Sequence, residues 1–254
     1  MEEHGVTVPQ ALLDFYAGLE EVGRDYPVRL SWSGEPAPDL PLLGGMRVEV
    51  PPEAFLELFD RYVEYFRGSE AEVCPNLLSR IKKGVHEAGS QLVERVFSND
   101  LEYVEDFIWE QKFSPGLFRL LLAQVMRPFL RELGEREGER RSEWERDSCP
   151  ICGGSPGLAV LQGERSLLSC SLCGHLWEVR PGRCPSCGEA LEAVHQAEGF
   201  TVLACSGCRR YLKATAQADQ DLFLAEVRSL PLDVWAEQAG YLRPGAEVPA
   251  AAGS

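Results

Sequence analysis

The chain has 254 residues, 44% hydrophobic and 26% charged, which excludes a disordered polymer and suits one or two domains with cores of their own. Its formal charge of −15 is uneven: residues 1–148 carry −12, residues 149–213 carry +1 and residues 214–254 carry −4. A nucleic-acid binder ordinarily presents a basic face to replace counterions, so this balance argues against that class. The most apolar stretch, Leu117 to Leu133, is interrupted by Arg119, Arg127 and Arg131 and does not read as a membrane span.

The opening MEEHGVTVPQ has neither a basic nor an apolar leader region, so no signal peptide is expected. With cysteines expected to be reduced, this points to the cytoplasm. The first 148 residues read as all-helical. Val8, Leu12, Phe15, Tyr16, Leu19 and Val22 follow helical spacing after a potential cap at Thr7, with Pro9 in the first turn. Residues 27–50, rich in proline and glycine, read as a long loop. Phe55, Leu58, Phe59, Tyr62, Val63 and Phe66 then fall at i, i+3, i+4, i+7, i+8 and i+11, a strong amphipathic helix. A helix over 76–97 is weakened by Gly84 and Gly89, and Asp100 is placed to cap a short helix through Ile108. Ser114-Pro115 opens a further helix, in which Pro128 predicts a kink or a split. The charge-dense run from Glu135 to Asp147 interleaves both signs and reads as a solvated helix end or linker at a domain boundary.

Eight of the nine cysteines follow as four C-x-x-C pairs: Cys149/Cys152, Cys170/Cys173, Cys184/Cys187 and Cys205/Cys208. The first two pairs recur 35 residues later as the last two, so one C-x2-C-x17-C-x2-C unit occurs twice in tandem. Pro150, Gly153, Leu168 and Ser171 also match Pro185, Gly188, Leu203 and Ser206. Thiolates are soft ligands for zinc or iron, and a two-residue spacing lets one tight turn present two sulfurs to one ion. Glycine directly after the second cysteine (Gly153, Gly174, Gly188) suits such a turn. Leu158–Leu161 with Ser166–Leu168, and Leu191–His195 with Phe200–Leu203, read as hairpins turned at Gly163 and Gly199.

The sites are paired within each repeat, because the ten residues 174–183 make a poor finger. Site one is then Cys149, Cys152, Cys170 and Cys173; site two is Cys184, Cys187, Cys205 and Cys208. Thioredoxin-type chemistry would want a βαβ context, and the cysteine run of a bacterial iron–sulfur cluster is absent. Each site carries net charge −2 with a divalent ion, and Arg180, Arg183, Arg209, Arg210 and Lys213 are near enough in sequence to offset it. Fully cysteine-ligated ions leave no open position for turnover, so no catalytic residues are assigned and an enzyme is not expected.

The remaining candidates have plain readings. Cys74 reads as a small buried residue, His175 as a surface group or a support to the ligands, and Trp177 and Tyr211 as aromatics packed under the ribbons. Trp177, Arg180, Arg183, Tyr211 and Lys213 are also retained as candidate partner contacts. Acidic pairs such as Glu20-Glu21 and Glu105-Asp106 read as solvated helix faces. A short helix around Leu230–Ala239 is expected to dock back on the body.

The order CPICGG…LLSCSLCGHLWEVRPGRCPSCG…CSGCRRYLK, followed by SLPLDVWAEQAGYLRPG, resembles the FdhE-type formate dehydrogenase accessory proteins. The resemblance is specific from Cys149 to Arg243. It implies a cytoplasmic maturation factor that meets the catalytic subunit of formate dehydrogenase, with a helical domain, two rubredoxin-like modules, and iron beside zinc as candidate metal. The expected architecture is an acidic helical domain (1–147), a first metal ribbon (148–182), a second (183–218), a C-terminal segment with a short helix (219–243) and a flexible tail (244–254). Two other classes stay open: a zinc-ribbon nucleic-acid binder, and a redox or metal-delivery protein.

Overall fold

The computed structural model describes residues 7–69, 73–141 and 143–245, so the expected tail lies outside the described residues from 246 onward. Two compact units emerge. Among the described residues, one comprises 14–138 with 151–153; the other comprises 139–150 and 154–245 together with 7–13.

The first unit is helical. Helix α1 (Gln10–Arg24) starts just after Pro9, whose carbonyl accepts from the Leu12 and Leu13 N–H groups. The stretch read as a loop holds more structure than expected: β1 (Ser31–Ser33), the short α2 (Leu42–Gly45) and β2 (Arg47–Glu49), with β1 and β2 paired antiparallel. Three-residue strands are too short for alternation to register in a sequence. Helix α3 (Pro52–Gly68) buries the whole expected stripe from Phe55 to Phe66. Helix α4 (Pro75–Phe97) breaks locally at Gly89, which adopts φ 51° and ψ −126°. Cys74 stands before α4 and is exposed, contrary to its reading as a buried residue. Helix α5 (Leu101–Glu110) is capped by Asp100, which accepts from Tyr103 N–H at 3.0 Å.

Helix α6 (Pro115–Glu137) runs through Pro128, so of the kink or split expected there the split does not occur. Proline forfeits one backbone hydrogen bond, but Leu121, Leu122 and Val125 before it and Phe129, Leu130 and Leu133 after it are all buried, so packing holds both halves in one helix. Burial also corrects the reading of Glu20. It is 8% exposed and pairs with Arg127 at 3.3 Å and Arg131 at 3.1 Å, both on α6. An arginine in the middle of an apolar run was the available signal for a buried acid.

Gly84 is the one glycine of α4 that its surroundings require to be small: a Cβ there would lie 2.6 Å from the buried Phe113 ring. Alanine would gain about 1 kcal/mol of helix propensity against an overpacking cost of about 1–3 kcal/mol. Gly84→Ala is therefore expected to lower the urea midpoint modestly, and Gly84→Val to lower it further.

The second unit is built on one six-stranded sheet. Its strands are β3 (Pro156–Gln162), β4 (Arg165–Cys170), β5 (Leu176–Val179), β6 (Leu191–Ala197), β7 (Phe200–Cys205) and β8 (Tyr211–Thr215), in the order β5-β4-β3-β8-β7-β6. Both expected hairpins form. The second turns through Glu198 (φ 51°) and Gly199 (φ 81°), as a two-residue turn with both φ positive requires. Each repeat also adds a third strand, β5 or β8, after its last cysteine pair. The repeats then join edge to edge, with Ala159 and Val160 of β3 paired in parallel to Ala214 and Thr215 of β8. Because β8 is central, all five of its residues are buried.

Two helices cover this sheet: α7 (Leu222–Arg228), which the sequence reading passed over, and α8 (Leu230–Gln238). Asp221 caps α7 by accepting from the Phe223 and Leu224 N–H groups. Leu158, Phe200, Val202 and Tyr211 of the sheet pack with Ala225, Leu232 and Ala236 of the helices. His195 and Trp235 stack at the margin, with ring centroids 4.4 Å apart. Among the described residues no helix is long and apolar enough to cross a membrane.

Candidate metal centres

Four knuckles with one backbone pattern carry the eight sulfurs. In each, the first cysteine's N–H donates to the carbonyl five residues on: Cys149 to Gly154, Cys170 to His175, Cys184 to Glu189 and Cys205 to Arg210, at 2.8–3.0 Å. The residue after the second cysteine has positive φ every time: Gly153 76°, Gly174 75°, Gly188 79° and Arg209 57°. Glycine adopts that backbone freely, whereas arginine must be held there. The Arg209 guanidinium donates to the Ala239 and Gly240 carbonyls beyond α8 and lies 4.3 Å from the Tyr241 ring centroid. Its backbone carbonyl accepts from Leu242 at 2.8 Å. The fourth knuckle is thus fastened to the chain that follows α8.

At Gly188 no atom lies within 4 Å of where a Cβ would sit, so Gly188→Ala isolates the backbone conformation from any clash. It is expected to cost about 1–2 kcal/mol, seen as a lower unfolding midpoint of the metal-loaded protein with the metal content unchanged.

The structure brings Cys149, Cys152, Cys170 and Cys173 together, and separately Cys184, Cys187, Cys205 and Cys208; within each set the sulfurs all lie within 4.8 Å of one another. The Cys149–Cys173, Cys184–Cys208 and Cys187–Cys205 sulfurs are 3.6, 3.5 and 3.4 Å apart. A disulfide would be about 2.05 Å long, and a tetrahedral ion with bonds of about 2.3 Å spaces its sulfurs by about 3.8 Å. The donor set therefore fits a tetrahedral, sulfur-loving divalent ion such as zinc or ferrous iron.

Backbone N–H groups turn toward the sulfurs. Cys173 N–H lies 3.5 Å from the Cys170 sulfur, and those of Ser186 and Cys187 point at Cys184. Burial pushes the Cys184 thiol up to about 12, while Cys205, though burial acts on it too, is brought down to about 7 by N–H groups of Cys208 and Gly207 and by neighbouring thiols. A bound cation supplies the positive charge that lets all four ionise together.

The two cages differ in access. All four residues of the first are buried; in the second, Cys184 and Cys205 are buried, Cys208 is half-buried and Cys187 is exposed. The second opens on a cleft of about 520 Å³ lined by Glu145, Val179, Arg180 and the Arg183–Gly188 turn.

His175 is half-buried and joins neither set; it gives its backbone carbonyl to Cys170, and burial lowers its pKa. Trp177 is 4% exposed and donates from Nε1 to the Arg146 carbonyl at 3.0 Å. In register, Trp177 opposite Leu168 corresponds to Leu212 opposite Leu203, so Tyr211 lies one residue off and faces the other side of the sheet. There Tyr211 donates to Asp233 of α8 at 2.7 Å, and the buried Lys213 donates to the other oxygen of the same carboxylate at 2.7 Å. The Lys213 ammonium is thus committed to α8. Arg180 and Arg183 remain on the exposed rim of the cleft, Arg180 paired with Glu145 at 2.8 Å.

Comparison with known proteins follows this geometry. No family model matches the chain. The FdhE homolog of Haemophilus ducreyi is 26% identical over 216 residues, covering 76% of this chain and 65% of that protein. The FdhE protein of Escherichia coli O1:K1 is 30% identical over 191 residues, covering 69% and 57%. The chain resembles the FdhE proteins. It spans roughly 57–65% of the length of these two relatives. The crystal structure of the FdhE protein from Pseudomonas aeruginosa superposes with a TM-score of 0.65 at 20% identity, covering 96% of this chain and 95% of that one, so the two share a fold.

Proposed function

We propose that this chain is an accessory protein for the formation of active formate dehydrogenase, acting in the cytoplasm on the catalytic subunit without itself catalysing a reaction. The observation that carries this reading is the pair of four-cysteine cages, one in each half of a single shared sheet. A site with four protein sulfurs has no vacant position for substrate, and its metal serves to fix the fold. When bound, the ions supply positive charge and tetrahedral restraint; the chain's own residues do the rest. Resemblance to the FdhE proteins supports the choice of client.

Partner contacts are assigned first to Arg180 and Arg183, because both are exposed on the cleft beside the second cage. Trp177, Tyr211 and Lys213 are buried, Trp177 against the Arg146 carbonyl and the other two against Asp233 of α8, so their part is to hold the unit together rather than to touch the partner directly. The nucleic-acid reading loses support from a sheet unit whose metal region is nearly neutral.

The test is affinity capture of the tagged, full-length chain from its native host, combined with deletion of its gene. Enrichment of the formate dehydrogenase catalytic subunit, and loss of formate dehydrogenase activity on deletion, are expected. An unchanged activity in the deletion strain would overturn the proposal. Arg180→Glu with Arg183→Glu is expected to weaken capture at least tenfold while both ions are retained.

A further inference from the structure

Helix α5 presents an outward face that the fold does not use. Val104, Phe107 and Ile108 turn inward, and the outward positions form two parallel stripes at i, i+4 and i+8. One stripe is Leu101, Glu105 and Trp109, with Leu101 67% and Trp109 84% exposed. The other is Glu102, Asp106 and Glu110, all exposed and without an ion pair among the described residues.

This arrangement works against the helix that carries it. Like charges one turn apart repel, and an acid in the last turn opposes the helix dipole. The nearby cations are turned elsewhere: Arg119 to Glu105, Arg95 to Asp100 and the Tyr103 ring, and Arg80 to the Gln111 and Lys112 carbonyls. Glu102 in the first turn suits the dipole, but Asp106 and Glu110 add repulsion that no ion pair among the described residues offsets. With an indole almost wholly in water beside them, they mark a surface completed by something outside the unit.

We propose that the outward face of α5 is a docking surface for a cationic segment of a protein partner, one carrying arginine or lysine at successive helical turns and an apolar residue between them. Charge complementarity selects this occupant. Three carboxylates one turn apart span about 12 Å along the helix, matching basic side chains at successive turns of a partner helix, and Trp109 offers its face to a guanidinium. The same acids repel nucleic acid and anionic lipid. This surface lies in the helical unit and is independent of the function proposed above.

The probe is a synthetic amphipathic 18-residue peptide of arginine, leucine and alanine, with a control in which glutamate replaces arginine. It is titrated into the full-length, metal-loaded protein, and acrylamide quenching of tryptophan fluorescence is followed. Saturable binding that protects an exposed tryptophan and weakens with salt is expected, with no binding of the control. Trp109→Ala and the double change Asp106→Lys with Glu110→Lys are each expected to weaken binding at least tenfold. Glu87→Lys, at an exposed position of α4, should leave it unchanged. Equal affinity for the double variant would overturn the proposal because these acids would then take no part, and equal loss with Glu87→Lys would overturn it by reducing the effect to net charge. Concentration-dependent dimers abolished by Trp109→Ala would also overturn it in favour of a second copy as occupant. Binding to vesicles with anionic headgroups in preference to the peptide would do the same in favour of a membrane.

Discussion

Zinc or iron is expected to leave the second cage first when the protein meets excess chelator. Cys187 and Cys208 should become alkylated while Cys149, Cys152, Cys170 and Cys173 remain protected. The cause is access: a chelator displaces thiolates one at a time and must approach the ion, and the second cage exposes a ligand and opens on a cleft whereas all four cysteines of the first are buried. Removing a ligand outright separates the cages further. Cys170→Ser strikes the buried first cage, where Cys170 ends β4 and pairs with Pro156 at the start of β3. Structural zinc in small fingers contributes about 10–16 kcal/mol that is also their folding energy. The variant should therefore lose one ion of two and unfold its ribbon, and expression should fall. Cys187→Ser should also lose an ion but keep the first ribbon protected from hydrogen exchange. Metal analysis with thiol-labelling mass spectrometry checks both results. Release of the two ions at equal rates, or first labelling within the Cys149–Cys173 set, would refute the assigned order.

How much of this was legible beforehand divides by distance along the chain. The 35-residue repeat, the within-repeat grouping of cysteines and both hairpins depend on contacts of at most about two dozen residues, and spacing and turn chemistry announce them. The parallel seam between β3 and β8 joins residues 55 apart, and nothing local encodes it. Its trace was the run Tyr211–Thr215, which places a lysine in a strand buried on both faces. A lysine there demands a buried acid, and the fold supplies Asp233 from α8. The sequence reading instead placed Lys213 near the thiolates because it stood near them in number. The same blindness hid Glu20, whose partners on α6 lie more than a hundred residues away. The stripe of α3, set by periodicity alone, was readable in full.

Asp233 is expected to be the most costly single substitution outside the cysteines. Its carboxylate, 5% exposed, accepts from Tyr211, from Lys213 and from Arg243 at 2.5 Å. Burial lowers the Lys213 pKa even though the Asp233 charge opposes that shift, and burial raises that of Tyr211. A buried base whose folded pKa is depressed binds fewer protons in the folded state than in the unfolded one. This group's contribution therefore disfavours folding below its unfolded pKa, and that penalty lifts as pH rises through the alkaline window between the two. Taking Asp233 away removes the charge that limits the penalty. Asp233→Ala is expected to destabilise the sheet unit by about 3–5 kcal/mol, the usual cost of leaving one partner of a buried pair uncompensated. Adding Lys213→Met should restore most of it, because the stranded charge disappears and methionine fills its volume. Chemical denaturation of the two variants decides the matter: a double variant no more stable than Asp233→Ala alone would show that the loss comes from the Tyr211 and Arg243 contacts and not from a stranded Lys213 charge. If the rescue holds, the cost of the single change is the stranded Lys213 charge, and the apolar packing of Leu232 and Ala236 is enough to seat the helix that Arg209 and the fourth knuckle fasten at its far end.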